Sequence, residues 1–145
     1  MYDVSASGIK LRVLAFPLYP AGFDVSRFPD DASPLEIDNQ QIADTGMGVN
    51  GDLVAWSTPN PIEMSVSVIP GSEEDDALAS IWAVDRIGGS KIAAFNKITI
   101  VVTYPSGKVV TYTGGKMIEG PAGTSTDNSA RLQSKTYRFA FETVI

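Results

Sequence analysis

The sequence predicts a mostly β (α+β) domain, in which an antiparallel β-sandwich or barrel of about seven strands carries one flanking α-helix at about residues 72–86. Apolar and polar residues alternate in several short segments, which is the period of a half-buried strand. Two β-branched segments flank a Pro-Ser-Gly turn, and one segment combines helical spacing with a helix start signal. The 145 residues, 43% of them apolar, suit a single domain, 1–145, with one core.

The strand signal recurs along most of the chain. The predicted strands are residues 9–13, 35–42, 52–57, 62–68, 97–104, 108–113 and 131–142. Two of them alternate most clearly, because every second residue is large and apolar and these residues share one face of the strand. They are Ile62, Met64, Val66 and Val68 in one strand and Tyr137, Phe139 and Phe141 in the other. A turn-rich stretch with three glycines, residues 46–51, separates the second and third strands.

The predicted helix begins after Pro70-Gly71. Ser72 is a favourable N-cap, and Asp75 three residues later gives an arrangement like a capping box. The first turn, residues 73–76, is entirely acidic. Four adjacent carboxylates are also compatible with a metal site, but their interaction with the positive end of the helix dipole explains them without one. We therefore predict no metal and no cofactor. The packing stripe consists of Leu78, Ile81 and Trp82.

A long segment between the first two predicted strands lacks regular alternation. It contains four prolines, Gly22 and scattered aromatic residues, and it predicts a Pro/aromatic loop at about 17–34. Loops of this length in compact domains usually have a function. Its apolar side chains should be covered, either by the parent domain or by a neighbouring subunit.

Residue types that are missing limit the chemistry. The chain has no cysteine and no histidine, so it has no disulfide, no Ser-His-Asp triad and no Cys- or His-built metal site. The segment Asp44-Thr45-Gly46 matches the aspartic-protease tripeptide, and a symmetric dimer could share a proton between two copies of Asp44. However, Met47-Gly48 follows where that family has alanine and an acid. We expect Asp44 to be solvated and the protein not to be an enzyme.

Charge is divided unevenly along the chain. The net charge is −6, made up of −11 in residues 1–85 and +5 in residues 86–145. Either two faces of one domain neutralise each other, or an acidic patch on one copy meets a basic patch on the next. The start of the chain lacks a signal-peptide pattern, and no apolar stretch approaches the roughly 20 residues of a spanning helix. We expect no membrane anchoring.

Two stretches together carry a resemblance. One is residues 64–75, a strand that leads directly into the acid-capped helix, and the other is Gly120-Pro121-Ala122-Gly123 followed by a Ser/Thr loop and residues 131–142. With the hairpin around residues 104–108, they resemble the tail tube proteins of long-tailed, especially contractile, bacteriophages. The resemblance covers roughly residues 35–142. It implies the tube/Hcp-like fold, a β-barrel flanked by one helix.

The resemblance also implies a role and partners. Six copies would form a ring, and stacked rings would form a hollow tube in the virion tail through which DNA passes during ejection. The tail sheath, tape-measure and baseplate proteins would be its partners, with assembly in the host cytoplasm. A baseplate-proximal initiator or adaptor ring of the same fold stays open as an alternative. An acidic strand face with Glu36 and Asp38 would suit a lumen that repels phosphate, and loop 17–34 would contact the next ring.

Overall fold

The computed structural model describes residues 8–16, 18–30, 33–88, 97–123 and 132–145. These residues form ten strands and one helix. In chain order the elements are β1 (Lys10–Phe16), β2 (Tyr19–Val25), β3 (Leu35–Ile37), β4 (Ala43–Met47), β5 (Leu53–Ser57), β6 (Ile62–Val68), α1 (Glu73–Gly88), β7 (Lys97–Thr103), β8 (Val109–Glu119), β9 (Lys135–Phe141) and β10 (Thr143–Val144).

Eight of the strands form one antiparallel sheet in the order β2-β1-β7-β8-β9-β6-β3, with β10 paired to β8. The long strand β8 connects two parts of this sheet. We call β2, β1, β7 and the start of β8 the first half-sheet, and the end of β8 with β9, β6 and β3 the second half-sheet. Within the described residues the sheet is not a closed barrel, because β2 and β3 are its edges.

Strand β8 changes partners at two consecutive glycines. Gly114 has a φ of +66°, and Gly115 lies opposite Ile98 on β7, next to a register shift. A Cβ at Gly115 would lie 2.3 Å from the ring of Phe141. These two positions therefore allow the strand to turn from β7 towards β9 while a core ring packs directly against its backbone.

The core is one cluster with contributions from both half-sheets and from α1. In β1, β6, β7 and β9 its apolar members occupy every second position, as the sequence predicted for β6 and β9. The fully buried side chains include Leu11, Val13, Met64, Val66, Leu78, Ile81, Ile98, Ile100, Tyr137, Phe139 and Phe141. Because the same cluster takes residues from β1, β7, β6 and β9, the two half-sheets and the helix enclose a common interior.

The start of α1 is fixed by a buried carboxylate. Asp75 is 2% exposed; it accepts a hydrogen bond from the Tyr137 hydroxyl at 2.9 Å and one from the Gly71 amide at 2.9 Å. The Lys135 ammonium lies 3.2 Å from the same side chain. The Ser72 hydroxyl accepts from the Asp75 amide, which confirms the predicted N-cap. We call Asp75, Tyr137 and Lys135 the latch, because they join α1 to β9.

The predicted loop at 17–34 is wrong for residues 19–25, which form β2 and pair with β1. The prolines do not prevent this strand, because β2 is an edge and the missing amide of Pro20 breaks no interior ladder. Gly22 has a φ of +78°, beside the register shift at Val13 and Ala15. The aromatic side chains of Tyr19, Phe23 and Phe28 pack against the domain's own core. Pro17 lies outside the described residues.

Several predicted boundaries also need correction. The strand expected at 35–42 ends at Ile37, and the turn expected from Gly46 is replaced by strand β4, which includes Gly46. Strand β8 continues six residues beyond the predicted end at 113. The last strand begins at Lys135, and residue 131 and most of the Ser/Thr loop before it lie outside the described residues. Among the described helices, none is both long and apolar enough to cross a bilayer.

Candidate functional site

Residues 42–57 form a hairpin that we call the arm. Its strands β4 and β5 pair only with each other in the described part of the chain. The Thr58 amide donates to the Ile42 carbonyl at 3.1 Å, which extends the ladder at the base. At the tip, the Gly48 amide donates to the Asp52 carbonyl and the Gly51 amide donates to the Gly48 carbonyl. The arm is thus a regular hairpin outside the main sheet.

The arm is apolar and uncovered. Its large apolar side chains are all at least about half exposed, and they are Ile42, Met47, Val49, Leu53, Val54 and Trp56. Trp56 is 49% exposed and Leu53 is 68% exposed. An isolated two-stranded hairpin is marginally stable in water, and contiguous exposed apolar surface marks an interaction site. The arm therefore has the properties of a segment that is buried by a partner.

The register assigns the two faces of the arm. Asp44 pairs with Trp56 and Gly46 pairs with Val54, so these four residues share one face. The Trp56 ring lies over Gly46, where an added Cβ would be 3.8 Å from it. Met47 and Leu53 pair on the opposite face. Both faces therefore present apolar groups to a partner.

Asp44 belongs to this exposed arm and not to a cleft. Its Oδ1 accepts a hydrogen bond from the amide of Thr45 at 2.8 Å. The acidic side chains in the first turn of α1 do not share one environment. Asp75 is buried in the latch, whereas Glu73 and Asp76 are exposed. In the described ranges no three acidic side chains are arranged to hold a metal ion.

A cavity of about 440 Å³ opens where the arm joins the main sheet. It lies between the β5–β6 connection and the junction of β9 and β10. Its lining residues are Pro59, Asn60, Pro61, Gly114, Ala140, Phe141 and Glu142. Apart from Asn60 and Glu142 these are apolar or glycine, so the base of the arm continues the apolar character of the arm itself.

The edge strand β3 offers backbone groups for pairing. The Pro34 carbonyl accepts from the Ser67 amide and the Asp38 amide donates to the Glu63 carbonyl, so residues 34, 36 and 38 bond towards β6. By the alternation of an antiparallel ladder, the amides and carbonyls of Leu35 and Ile37 point to the open side. Such an edge is a template for a strand from another chain.

The outer face of the second half-sheet is acidic and is organised by one arginine. Arg138 donates to Asp38 at 2.9 Å, to Glu63 at 3.2 Å and to the Ser65 hydroxyl at 3.1 Å, and Glu119 lies 3.8 Å away. The hydrogen bond to Asp38, with the charges of Glu63 and Glu119, raises the pKa of Arg138 above its usual value. Arg138, on β9, therefore connects carboxylates at or next to three other strands on this face, β3, β6 and β8.

We expect Arg138→Leu to lower the urea midpoint, because three carboxylates would then face one another without a cation. The loss should shrink in 0.5 M NaCl, since salt screens both the lost attraction and the new repulsion. Urea denaturation at low and high salt checks this. Arg12→Leu is the matched control, because Arg12 pairs with a single exposed carboxylate, Asp24, at 2.9 Å. Equal, salt-independent losses for both variants would contradict the assigned role of Arg138.

The antiparallel sheet with one helix, as the described residues form it, is a fold that solved contractile injection system structures share. Three solved structures share this fold over 100% of the chain. One is the sheath/tube terminator of the PVC extracellular contractile injection system, with a TM-score of 0.57, 13% identity and 96% of that chain covered. Another is the 6-fold symmetrised baseplate of the anti-feeding prophage, with a TM-score of 0.56, 13% identity and 96% covered. The third is the anti-feeding prophage tube-terminating cap, with a TM-score of 0.50, 11% identity and 91% covered.

The family to which the chain belongs follows from a match of its sequence to a family model. Residues 2–145 match the family described as tail fiber protein gp32, and the chain belongs to this family. No curated protein matches the sequence. The protein is therefore a phage-tail-like protein with the fold of contractile injection system components, as the resemblance implied at this coarser level.

Proposed function

We propose that this protein is a non-catalytic structural subunit that self-associates into a hexameric ring of a tail, and that such rings stack into a hollow tube. The exposed apolar arm is the observation that carries this proposal. Six large apolar side chains on one hairpin are costly to leave in water, because burying each stabilises an assembly by about 1.5–3 kcal/mol. A ring of identical copies would bury every arm against a neighbour.

The open edges support ring formation. Leu35 and Ile37 present free backbone groups at β3, and β2 is the edge at the other end of the sheet. Pairing of the β3 edge of one copy with the β2 edge of the next would join the sheets around a ring and remove both edges. The 6-fold symmetrisation of the baseplate structure with the same fold supports six as the number of copies.

The ring would lie in a virion tail or tail-like particle, assembled in the host cytoplasm around a tape-measure protein and attached to baseplate and sheath proteins. The acidic outer face with Glu36, Glu63 and Glu119 suits a lumen along which DNA slides without sticking. Asp44, in this proposal, serves the arm and not catalysis.

A ring that begins or ends a tube is the second candidate. It is favoured by the descriptions of the structures with this fold, which are a tube terminator, a baseplate and a tube-terminating cap. Such a protein would form single rings that do not stack. A tube subunit would instead polymerise at high concentration, because a heterologous stacking contact repeats without closing.

Sedimentation velocity and negative-stain microscopy over a concentration series test the proposal. We expect the wild-type protein to form rings, with tubes if it is a tube subunit and single rings if it is an end ring. Leu53→Ser/Trp56→Ser should weaken self-association about 100-fold, because two apolar groups per interface are lost.

The matched control is Ile69→Ser/Ile118→Ser, which removes two apolar side chains of similar exposure away from the arm. It should assemble like the wild type. A wild-type protein that keeps the mass of one chain at every concentration, or an arm variant that assembles as well as the control, would overturn the proposal.

A further inference from the structure

The arm has an acidic as well as an apolar character. It carries Asp44 and Asp52, and the sequence contains no lysine or arginine between residues 28 and 85. Asp44 shares its face with Val54 and Trp56, and Asp52 lies in the tip. A surface that receives the arm should therefore combine apolar groups with positive charge.

The outer face of the first half-sheet has this combination. Lys10 and Arg12 alternate with the buried residues of β1, and Phe16 pairs across the sheet with Lys97 on β7. Lys108 lies in the turn that precedes β8, beside the Lys10 end of the face. The exposed apolar groups of this face are Phe16, Val109 and Ile145.

Only one carboxylate opposes these cations in the part of the chain that the structure describes. Asp24 on β2 forms an ion pair with Arg12 at 2.9 Å. Lys10, Lys97 and Lys108 form no ion pair with described residues, and all three are exposed. The first half-sheet is thus basic on its outer face, whereas the second half-sheet is acidic.

We infer that the arm of one copy docks on the outer face of the first half-sheet of the next copy. This inference rests on the proposed ring and specifies its contact. Asp44 and Asp52 would approach Lys10, Lys97 and Lys108, while Trp56 and Val54 cover the apolar groups of the face. The uneven charge of the sequence then acts between copies, as head-to-tail association requires.

The dimensions of the two surfaces agree. The five-residue strands of the arm extend about 17 Å, and the seven-residue strands β1 and β7 extend about 23 Å. The arm can therefore lie along the face within its length. The arm and the face are different surfaces of the same chain and both are exposed, so the contact is heterologous. Each copy in the ring then docks its own arm on one neighbour and receives the arm of the other neighbour on its face.

Nucleic acid is a less suitable occupant of the basic face. A phosphate-binding surface is dominated by Arg and Lys, whereas this face includes exposed Phe16, Val109 and Ile145 and a neutralised Arg12. Apolar side chains gain nothing from a phosphate backbone. A protein surface that is both apolar and acidic satisfies all of these groups together.

A charge-exchange experiment tests the contact. Asp44→Lys/Asp52→Lys makes the arm basic, and Lys10→Glu/Lys97→Glu/Lys108→Glu makes the face acidic. Each variant alone should self-associate about 100-fold more weakly than the wild type, because like charges meet at the contact. An equimolar mixture should assemble again, since arms and faces of opposite charge alternate around a ring with an even number of copies.

Sedimentation velocity and microscopy provide the readout, and circular dichroism melting confirms that every variant is folded. Glu73→Lys/Asp76→Lys is the matched control, because it changes net charge as much as the arm variant but lies on the exposed side of α1, away from the arm, the face and the sheet edges. If the arm variant or the face variant alone assembles like the wild type, the arm–face contact is overturned and the ring is left intact. The same holds if the mixture is folded but does not assemble.

Two further outcomes are decisive. A wild-type protein that never self-associates would overturn both the ring and the contact, because the contact joins two copies. If the Lys10/Lys97/Lys108 variant loses retention on a 30-base-pair DNA duplex but still assembles like the wild type, the basic face binds phosphate and the arm docks elsewhere.

Discussion

Gly115→Ala should lower the free energy of unfolding by about 3 kcal/mol, because the new methyl group has no space. Its Cβ would lie 2.3 Å from Cδ1 and Cε1 of Phe141 and 2.9 Å from the Ile98 carbonyl oxygen. Phe141 is 1% exposed and its ring centroid lies 5.6 Å from that of Tyr112, so it cannot move outward without opening the core. Urea denaturation measures the loss.

Two further variants separate the effect of overpacking the core from a general effect of replacing glycine. Gly123→Ala is the control, because no described residue lies within 4 Å of a Cβ added there, and it should change stability by less than about 0.5 kcal/mol. Gly115→Ala should cost less in a Phe141→Leu background than in the wild type, since the smaller side chain removes the contact with the ring and leaves only that with the Ile98 carbonyl oxygen. A Gly115→Ala protein within 0.5 kcal/mol of the wild type would contradict the close packing.

Patterns within a few residues correctly predicted the elements whose formation depends on the local sequence. Alternation in residues 62–68 assigned the buried face of β6 correctly, and the Ser72–Asp75 spacing located the start of α1. Strand β2 was missed because its prolines argue against an interior strand, and only the sheet order reveals that it is an edge. The extension of β8 through Gly114 and Gly115 was missed for a similar reason. Glycine weakens a strand locally, and the ring of Phe141 that requires it is 26 residues away.

The arm could be predicted as a strand but not as an exposed one. Residues 53–57 are apolar on both faces, which is the pattern of a fully buried strand, yet every one of them is exposed. Burial depends on what covers a segment, and local sequence does not contain that information. The prediction instead assigned the contact role to loop 17–34, whose aromatic residues Tyr19, Phe23 and Phe28 pack on the parent core.

Asp75→Ala should be the most destabilising single change, with a loss of about 3–5 kcal/mol. It removes the acceptor of the Tyr137 hydroxyl and of the Gly71 amide, and it leaves the Lys135 ammonium, 14% exposed, without its partner. A buried donor or cation that loses its partner keeps its full desolvation cost. Because domains are typically stable by only about 5–15 kcal/mol, this loss should be evident as a large drop in the urea midpoint.

Asp76→Ala is the matched control for Asp75→Ala. Asp76 is the next residue in the same helical turn and also interacts with the helix dipole, but its side chain is exposed. It should cost only about 0.3–1 kcal/mol. If the two variants were equally stable, the contribution of Asp75 would be limited to the dipole, and the latch would have no energetic role.

Alkaline pH distinguishes the hydrogen bond of the latch from the packing of its ring. Burial, together with the hydrogen bond to Asp75, raises the pKa of Tyr137 well above its usual value of about 10. The folded state therefore keeps this proton when the unfolded state has lost it. The resulting stability is fully present below about pH 10 and is lost as the pH rises towards the folded pKa. The advantage of the wild type over Tyr137→Phe should consequently shrink between pH 9 and pH 11, whereas the advantage over Phe139→Leu, which removes no titrating group, should stay constant. If the difference in free energy of unfolding between the wild type and each of the two variants did not change with pH, Tyr137 would stabilise the fold through its ring alone.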